Sequence, residues 1–198
     1  DAFKDFEKAI SLRPGQNGLY FSRGVTYFLA QKFEDAVSDF NRYIKQEPKD
    51  VAAYLNRGAS YLYLADTTKA ISDYNRAIKI DRFEPEGYVR RARVYASQKK
   101  YDEAISDLNK AIELDTSGTF AYFNRALLYY EVHKYNEAVA DLTTVLKQEP
   151  GNALTLYNRS LIYTQVGAFE EALADIDRVI NINPGNVLAH FNRAAIFI

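Results

Sequence analysis

The side chains that could drive a reaction are sparse. There is no cysteine, which excludes thiol nucleophiles, disulfides and Cys-ligated metal. The two histidines are His133 and His190, far apart in the chain, and neither has a second histidine or a cysteine three or four residues away. No GxSxG, GxxxxGK[ST] or HExxH signature occurs. The sequence therefore predicts no enzyme, no cofactor and no metal. What recurs is recognition chemistry: arginine suited to bidentate carboxylate pairing, aspartate to receive it, and asparagine carrying both donor and acceptor.

These residues return at a fixed interval of 34. Tyr54, Arg57, Gly58, Tyr61, Ala70, Asp73, Tyr74 and Ala77 set the template. One step back gives Tyr20, Arg23, Gly24, Tyr27, Ala36, Asp39, Phe40 and Tyr43, and three steps forward end at Leu156, Arg159, Ser160, Tyr163, Ala172, Asp175, Ile176 and Val179. A period of this length marks stacked supersecondary units, none able to bury its apolar face alone. Within each period the apolar spacing predicts two helices, the first from about Gly18 to Ala30 and the second from about Phe33 to Gln46 in the earliest full copy. The template overhangs both ends, at Ala2, Asp5, Phe6 and Ala9 and again at His190, Arg193, Ala194 and Phe197, which reads as an array cut from a longer one. The missing initiator Met fits the same reading.

The pattern of aromatic, large, small, aromatic, then Ala and a closing Pro resembles the tetratricopeptide repeat (TPR). Pro14, Pro48, Pro150 and Pro184 hold the proline place, with Arg82 and Thr116 replacing it in two copies. The arginine row from Arg23 to Arg193, where the family often has Leu, is similar to a subgroup found in co-chaperones. The resemblance implies an all-α fold, a right-handed α-solenoid of helix-turn-helix repeats. It divides a single 1–198 array into a second helix of a truncated repeat (1–16), full repeats 17–50, 51–84, 85–118, 119–152 and 153–186, and a first helix of a truncated repeat (187–198).

Arg and Asp lie 16 residues apart in every full repeat: Arg23 with Asp39, Arg57 with Asp73, Arg91 with Asp107, Arg125 with Asp141, Arg159 with Asp175. They are expected to form partly buried salt bridges that fix register. The small residue of each first helix (Gly24, Gly58, Ala92, Ala126, Ser160) is expected to face the Ala of the second (Ala36, Ala70, Ala104, Ala138, Ala172), letting the helices approach closely.

Family resemblance implies a concave face lined by the first helix of each repeat. At its fifth position stand Phe21, Leu55, Val89, Phe123, Tyr157 and Phe191, for which peptide contact and partial burial both stay open. The sixth position reads Ser22, Asn56, Arg90, Asn124, Asn158 and Asn192, and a spaced row of amides can pair with the backbone of an extended peptide. Arg90 and Arg93 are the candidate anchor for an acidic group, unless Glu86 and Glu131 neutralise them. The two-carboxylate clamp by which related repeats hold chaperone tails ending in EEVD is matched only at Asn56 and Arg90. Phe21, Val25 and Glu86 fill its other places, so such tails are not expected as partners.

A net charge of −1 provides no field to draw nucleic acid or anionic lipid, and no apolar run approaches a membrane span. The expected location is cytoplasmic. The expected function is a non-catalytic scaffold binding an extended peptide of a partner protein. Two alternatives stay open: a spacer or self-association module joined end to end through Phe3, Phe6 and Ile196 to Ile198, and a substrate-recruiting array of a larger enzyme.

Overall fold

The computed structural model describes residues 2–197, so the expectation on Ile198 lies outside the described residues. Every regular element among them is helical: α1 (Ala2–Leu12), α2 (Gly18–Leu29), α3 (Phe33–Gln46), α4 (Val51–Tyr63), α5 (Thr67–Ile80), α6 (Pro85–Ser97), α7 (Tyr101–Leu114), α8 (Thr119–Glu131), α9 (Tyr135–Gln148), α10 (Ala153–Gln165), α11 (Phe169–Ile182) and α12 (Val187–Ile196). None of them is long and apolar enough to cross a membrane. The even-numbered helices are the first helices of successive repeats and the odd-numbered ones the second.

Local chemistry explains the boundaries. Asp50, Asp66, Asn152 and Asn186 each cap the helix that follows by accepting a backbone N–H of its first turn. Pro85 occupies the first turn of α6, where its missing N–H costs nothing. First helices stop at a left-handed residue, namely Gln31, Ala65, Lys99, His133 and Gly167, again at intervals of 34. The next N–H then reaches back five residues, as from Lys32 to the Tyr27 carbonyl at 2.9 Å, closing a Schellman motif.

The helices gather into two compact units, residues up to Lys100 and residues from Tyr101 onward. In the first unit α2 packs on α3, α3 on α4, α4 on α5 and α5 on α6, around Phe40, Tyr54, Leu55, Tyr74 and Val94. In the second the sequence α7 to α12 repeats that neighbour-on-neighbour scheme, with one cluster around Ala126, Leu142 and Ile162 and another around Leu156, Ile176 and Val179.

Beside Gly24 and Gly58 the nearest side chain is an aromatic ring. A methyl group on Gly24 would meet the Phe40 ring at 2.9 Å, and one on Gly58 the Tyr74 ring at 2.6 Å. Glycine here makes room for an aromatic ring 16 residues on. In the second unit Leu142 and Ile176 replace the ring, and Ala126 and Ser160 replace the glycine. Side-chain volume is thus traded across the helix pair, as close packing requires.

Candidate functional site

Arginine organises the frame that holds the site. Arg23 donates through Nε and Nη2 to both oxygens of Asp39, each at 2.7 Å. Arg57 with Asp73, Arg125 with Asp141 and Arg159 with Asp175 repeat this bidentate geometry at 2.6–2.8 Å. Hydrogen bonding to the aspartate holds the Arg23, Arg125 and Arg159 guanidinium groups above their ordinary pKa. Asp107 is buried like the other four aspartates.

The remaining nitrogen of the fork reaches backward. Arg57 Nη1 donates to Asn41 Oδ1 at 2.6 Å, Arg125 Nη1 to Asn109 Oδ1 at 2.7 Å and Arg159 Nη1 to Thr143 Oγ1 at 2.9 Å, while Arg91 donates to Asn75 and Arg193 to Asp177. Each of these arginines therefore bonds a residue 16 positions behind it, in the preceding repeat. Sequence reading missed this row, although Asn41, Asn75 and Asn109 carry the repeat interval. Tyrosines flank the guanidinium as well: Arg125 lies 5.6 Å from the Tyr122 ring centre and 5.5 Å from that of Tyr129.

Registering each first helix this way turns a second set of side chains outward. Asn56, Asn124 and Asn158 each donate from Nδ2 to the carbonyl four residues back on their own helix, at 2.7–2.8 Å. That bond uses one of the two amide hydrogens, leaving the other hydrogen and the carbonyl oxygen to bind. Asn192 differs, donating to the Tyr157 hydroxyl at 2.7 Å and tying α12 to α10.

In the first unit this surface is polar and short of apolar relief. Phe21 is half-buried against the Phe40 and Tyr43 rings, and Val89 is half-buried too. Leu55 is buried, only 7% exposed, because α4 has first-helix neighbours on both sides, α2 and α6. Arg90 donates to Glu86 at 2.7 Å and to the Leu55 carbonyl at 3.4 Å, so the pairing expected along α6 forms. Arg93 is exposed and makes no ion pair among the described residues.

The second unit carries cavities. One of about 330 Å³ is lined by Thr119, Phe120, Phe123, Val145, Glu149 and Leu154, with Asn152 and Thr155 completing the wall. A second, of about 290 Å³, lies one repeat on, between Ala153, Leu154, Tyr157, Asn186 and Leu188. Leu154 walls both. Phe120, Leu154 and Leu188, at the second position of three successive repeats, are all exposed large hydrophobics, whereas the first unit has Gly18, Ala52 and Glu86 there. Phe123 and Tyr157 are half-buried beneath them, and Phe191 is open on α12.

Glu149 is the charged residue in the walls of these cavities, accepting from Thr119 Oγ1 and Asn152 Nδ2, both at 2.7 Å. The Asn152 and Thr119 hydrogen bonds hold its carboxyl below the usual range. No grouping of three His, Cys, Asp or Glu that could hold a metal exists among the described residues. His133 Nδ1 engages the Tyr135 hydroxyl at 2.8 Å and His190 Nε2 the Pro184 carbonyl at 2.9 Å.

Solved structures of similar architecture cover nearly all of this chain. YrrB, a TPR protein with an unusual peptide-binding site, is 22% identical with a TM-score of 0.74, covering 96% of this chain and 97% of its own. MamA from Desulfovibrio magneticus RS-1 is 14% identical with a TM-score of 0.78, over 87% of this chain and 98% of its own. TTC0263, a thermophilic TPR protein of Thermus thermophilus, is 18% identical with a TM-score of 0.66, over 91% and 98%. No curated protein matches the sequence. A family model described as "Tetratricopeptide repeat" matches residues 21–85 and 123–196, and one described as "TPR repeat" matches 92–132. With its all-α repeat fold and these matches, the chain belongs to the tetratricopeptide repeat family, whose repeats serve generally as protein-interaction scaffolds.

Proposed function

We propose that this chain is a non-catalytic scaffold that holds an extended, partly apolar segment of a partner protein along the concave face lined by its first helices. The observation that carries the reading is the pair of apolar cavities one repeat apart on α8, α10 and α12, sharing Leu154. Apolar side chains of the partner fill the cavities, and the Asn124 and Asn158 carbonyl oxygens accept from its backbone N–H groups. The first unit by itself offers an acceptor at Asn56 and, at Arg93 with Arg90 beside it, a cationic contact for an acidic group. The peptide-binding site named for YrrB makes the reading a natural one for this fold.

Selection of displayed random peptides against the wild-type chain and a Leu154→Asp variant tests it. Enriched sequences should carry paired apolar residues and lose binding to the variant, whose melt should stay unchanged because Leu154 is 60% exposed. Peptides that bind both chains equally would sink the reading. Self-association is favoured separately by the exposure of Leu188, Phe191 and Phe197 on and beside α12. It predicts that Phe191→Asp lowers the sedimentation coefficient at high concentration.

A further inference from the structure

Resting on that reading, we propose that the two cavities sharing Leu154 select a partner segment with apolar residues three positions apart, one of them next to a lysine or arginine. The spacing comes from the shared wall. The cavities lie on either side of α10 and share its Leu154, so their centres stand about one helix diameter apart, ~10 Å. A polyproline II chain rises ~3.1 Å per residue with three residues per turn, which brings residues i and i+3 to the same side ~9 Å apart. A β-strand places same-side residues ~7 Å or ~13 Å apart and fits neither interval. Polyproline II has no internal hydrogen bonds, so its backbone N–H groups are free for the Asn124 and Asn158 oxygens.

Charge supplies the cation and the direction. The first cavity is lined by Glu149 and by no cationic residue. Its carboxylate oxygens each receive one protein hydrogen bond and have a second lone pair to offer. Arg178 comes near, but it donates to the Pro150 carbonyl and makes no ion pair among the described residues. At the second cavity the residue one repeat after Glu149 is Asn183, which is neutral, and no wall residue is charged. The asymmetry places the partner's cation beside the first cavity and so fixes which of its two apolar residues enters there.

Fluorescence polarisation with a synthetic set provides the test. Each labelled peptide holds two leucines in a proline and alanine background, separated by one, two or three residues, with Lys, Ser or Glu next to either leucine. The wild-type chain should bind best at a separation of two residues, and Lys should exceed Glu about fivefold at one leucine only, less so at high salt. Glu149→Gln should abolish the Lys preference while leaving the Ser peptide unchanged, and Glu149→Lys should invert it. Binding that Leu154→Asp eliminates, but with another preferred separation or with a charge preference that Glu149→Gln leaves intact, overturns this inference and leaves the proposed function standing. If no peptide of the set binds, or if Leu154→Asp binds all of them as well as wild type, both are overturned.

Discussion

The two units share one frame and present two different faces. Arg57 in the first and Arg125 in the second make the same three-way clamp, with an aspartate ahead and an asparagine behind. The second-position residues of the first helices diverge, from Gly18, Ala52 and Glu86 to Phe120, Leu154 and Leu188. Positions that meet a neighbouring helix must satisfy the same neighbour in each repeat, so they recur. Positions that meet only solvent are released from that demand, and there a partner's chemistry can be written. Departures from the repeat therefore point to function more directly than the repeat does.

The largest test asks whether the frame really is common. Removing Arg57 or Arg125 leaves Asp73 or Asp141 buried without its counter-charge, and each Ala variant should lose about 3 kcal/mol in chemical denaturation. The double change Arg125→Leu with Asp141→Leu should lose much less, because no isolated charge stays behind. Unequal losses for Arg57→Ala and Arg125→Ala would break the equivalence of the units.

Alkaline pH should separate them. Burial pushes the Tyr74 hydroxyl up to about 12, against the opposing influence of Arg90 and Arg93, and the second unit has Leu142 and Ile176 at the corresponding places. Folding favours the protonated phenol, so its contribution is complete below pH 10 and is lost as pH rises from 10 through 12. The loss is on the order of 2 kcal/mol. Hydrogen exchange across that window should show the first unit opening first, and Tyr74→Phe should remove most of the difference. Tyr43, which donates to Asp50 at 2.8 Å and is likewise pushed up to about 12 by burial and that bond, adds in the same direction.

Packing volume offers a comparably local contrast. Gly58→Ala drives a methyl group into the Tyr74 ring, which at 1% exposure has little room to move, and should cost about 2 kcal/mol by thermal melt. Adding Tyr74→Leu recreates the Ala126 and Leu142 combination native to the second unit, and should recover part of the loss. A double variant no more stable than the single one would show that the two units are packed by different rules.

Much of this was legible in the sequence because interfaces repeat. The 34-residue interval, the helix pairs and the Arg and Asp rows all follow from one interface copied along the chain. The backward clamp was harder to see because its residue changes from Asn41, Asn75 and Asn109 to Thr143 and Asp177, types united by an acceptor oxygen and not by shape. The ring against Gly24 and Gly58 was not foreseen because residue type does not tell which turn of the partner helix comes opposite them. Exposure along the fifth-position row, from 7% at Leu55 to 69% at Phe191, depends on how many first helices stand alongside, which no single helix encodes. The cavities needed three elements at once: Phe120 from α8, Val145 from α9 and Leu154 from α10.

The smallest expected effect lies in the wall of the larger cavity. Where neighbouring repeats have Ala121 and Ala189, α10 has Thr155, fully buried, with a hydroxyl that has no hydrogen-bond partner. Such a group has given up its water without replacement, a penalty of about 1–3 kcal/mol when nothing relaxes. Thr155→Val keeps the shape and removes the polar atom, so it should raise stability by about 1 kcal/mol, read as a higher melting temperature. Thr155→Ala also removes the unpaired oxygen but leaves the β-methyl's space empty, and should gain less. Should Val destabilise the chain instead, the hydroxyl has a partner in solution, and the first cavity is a wetter and more polar site than its phenylalanine and leucine walls indicate.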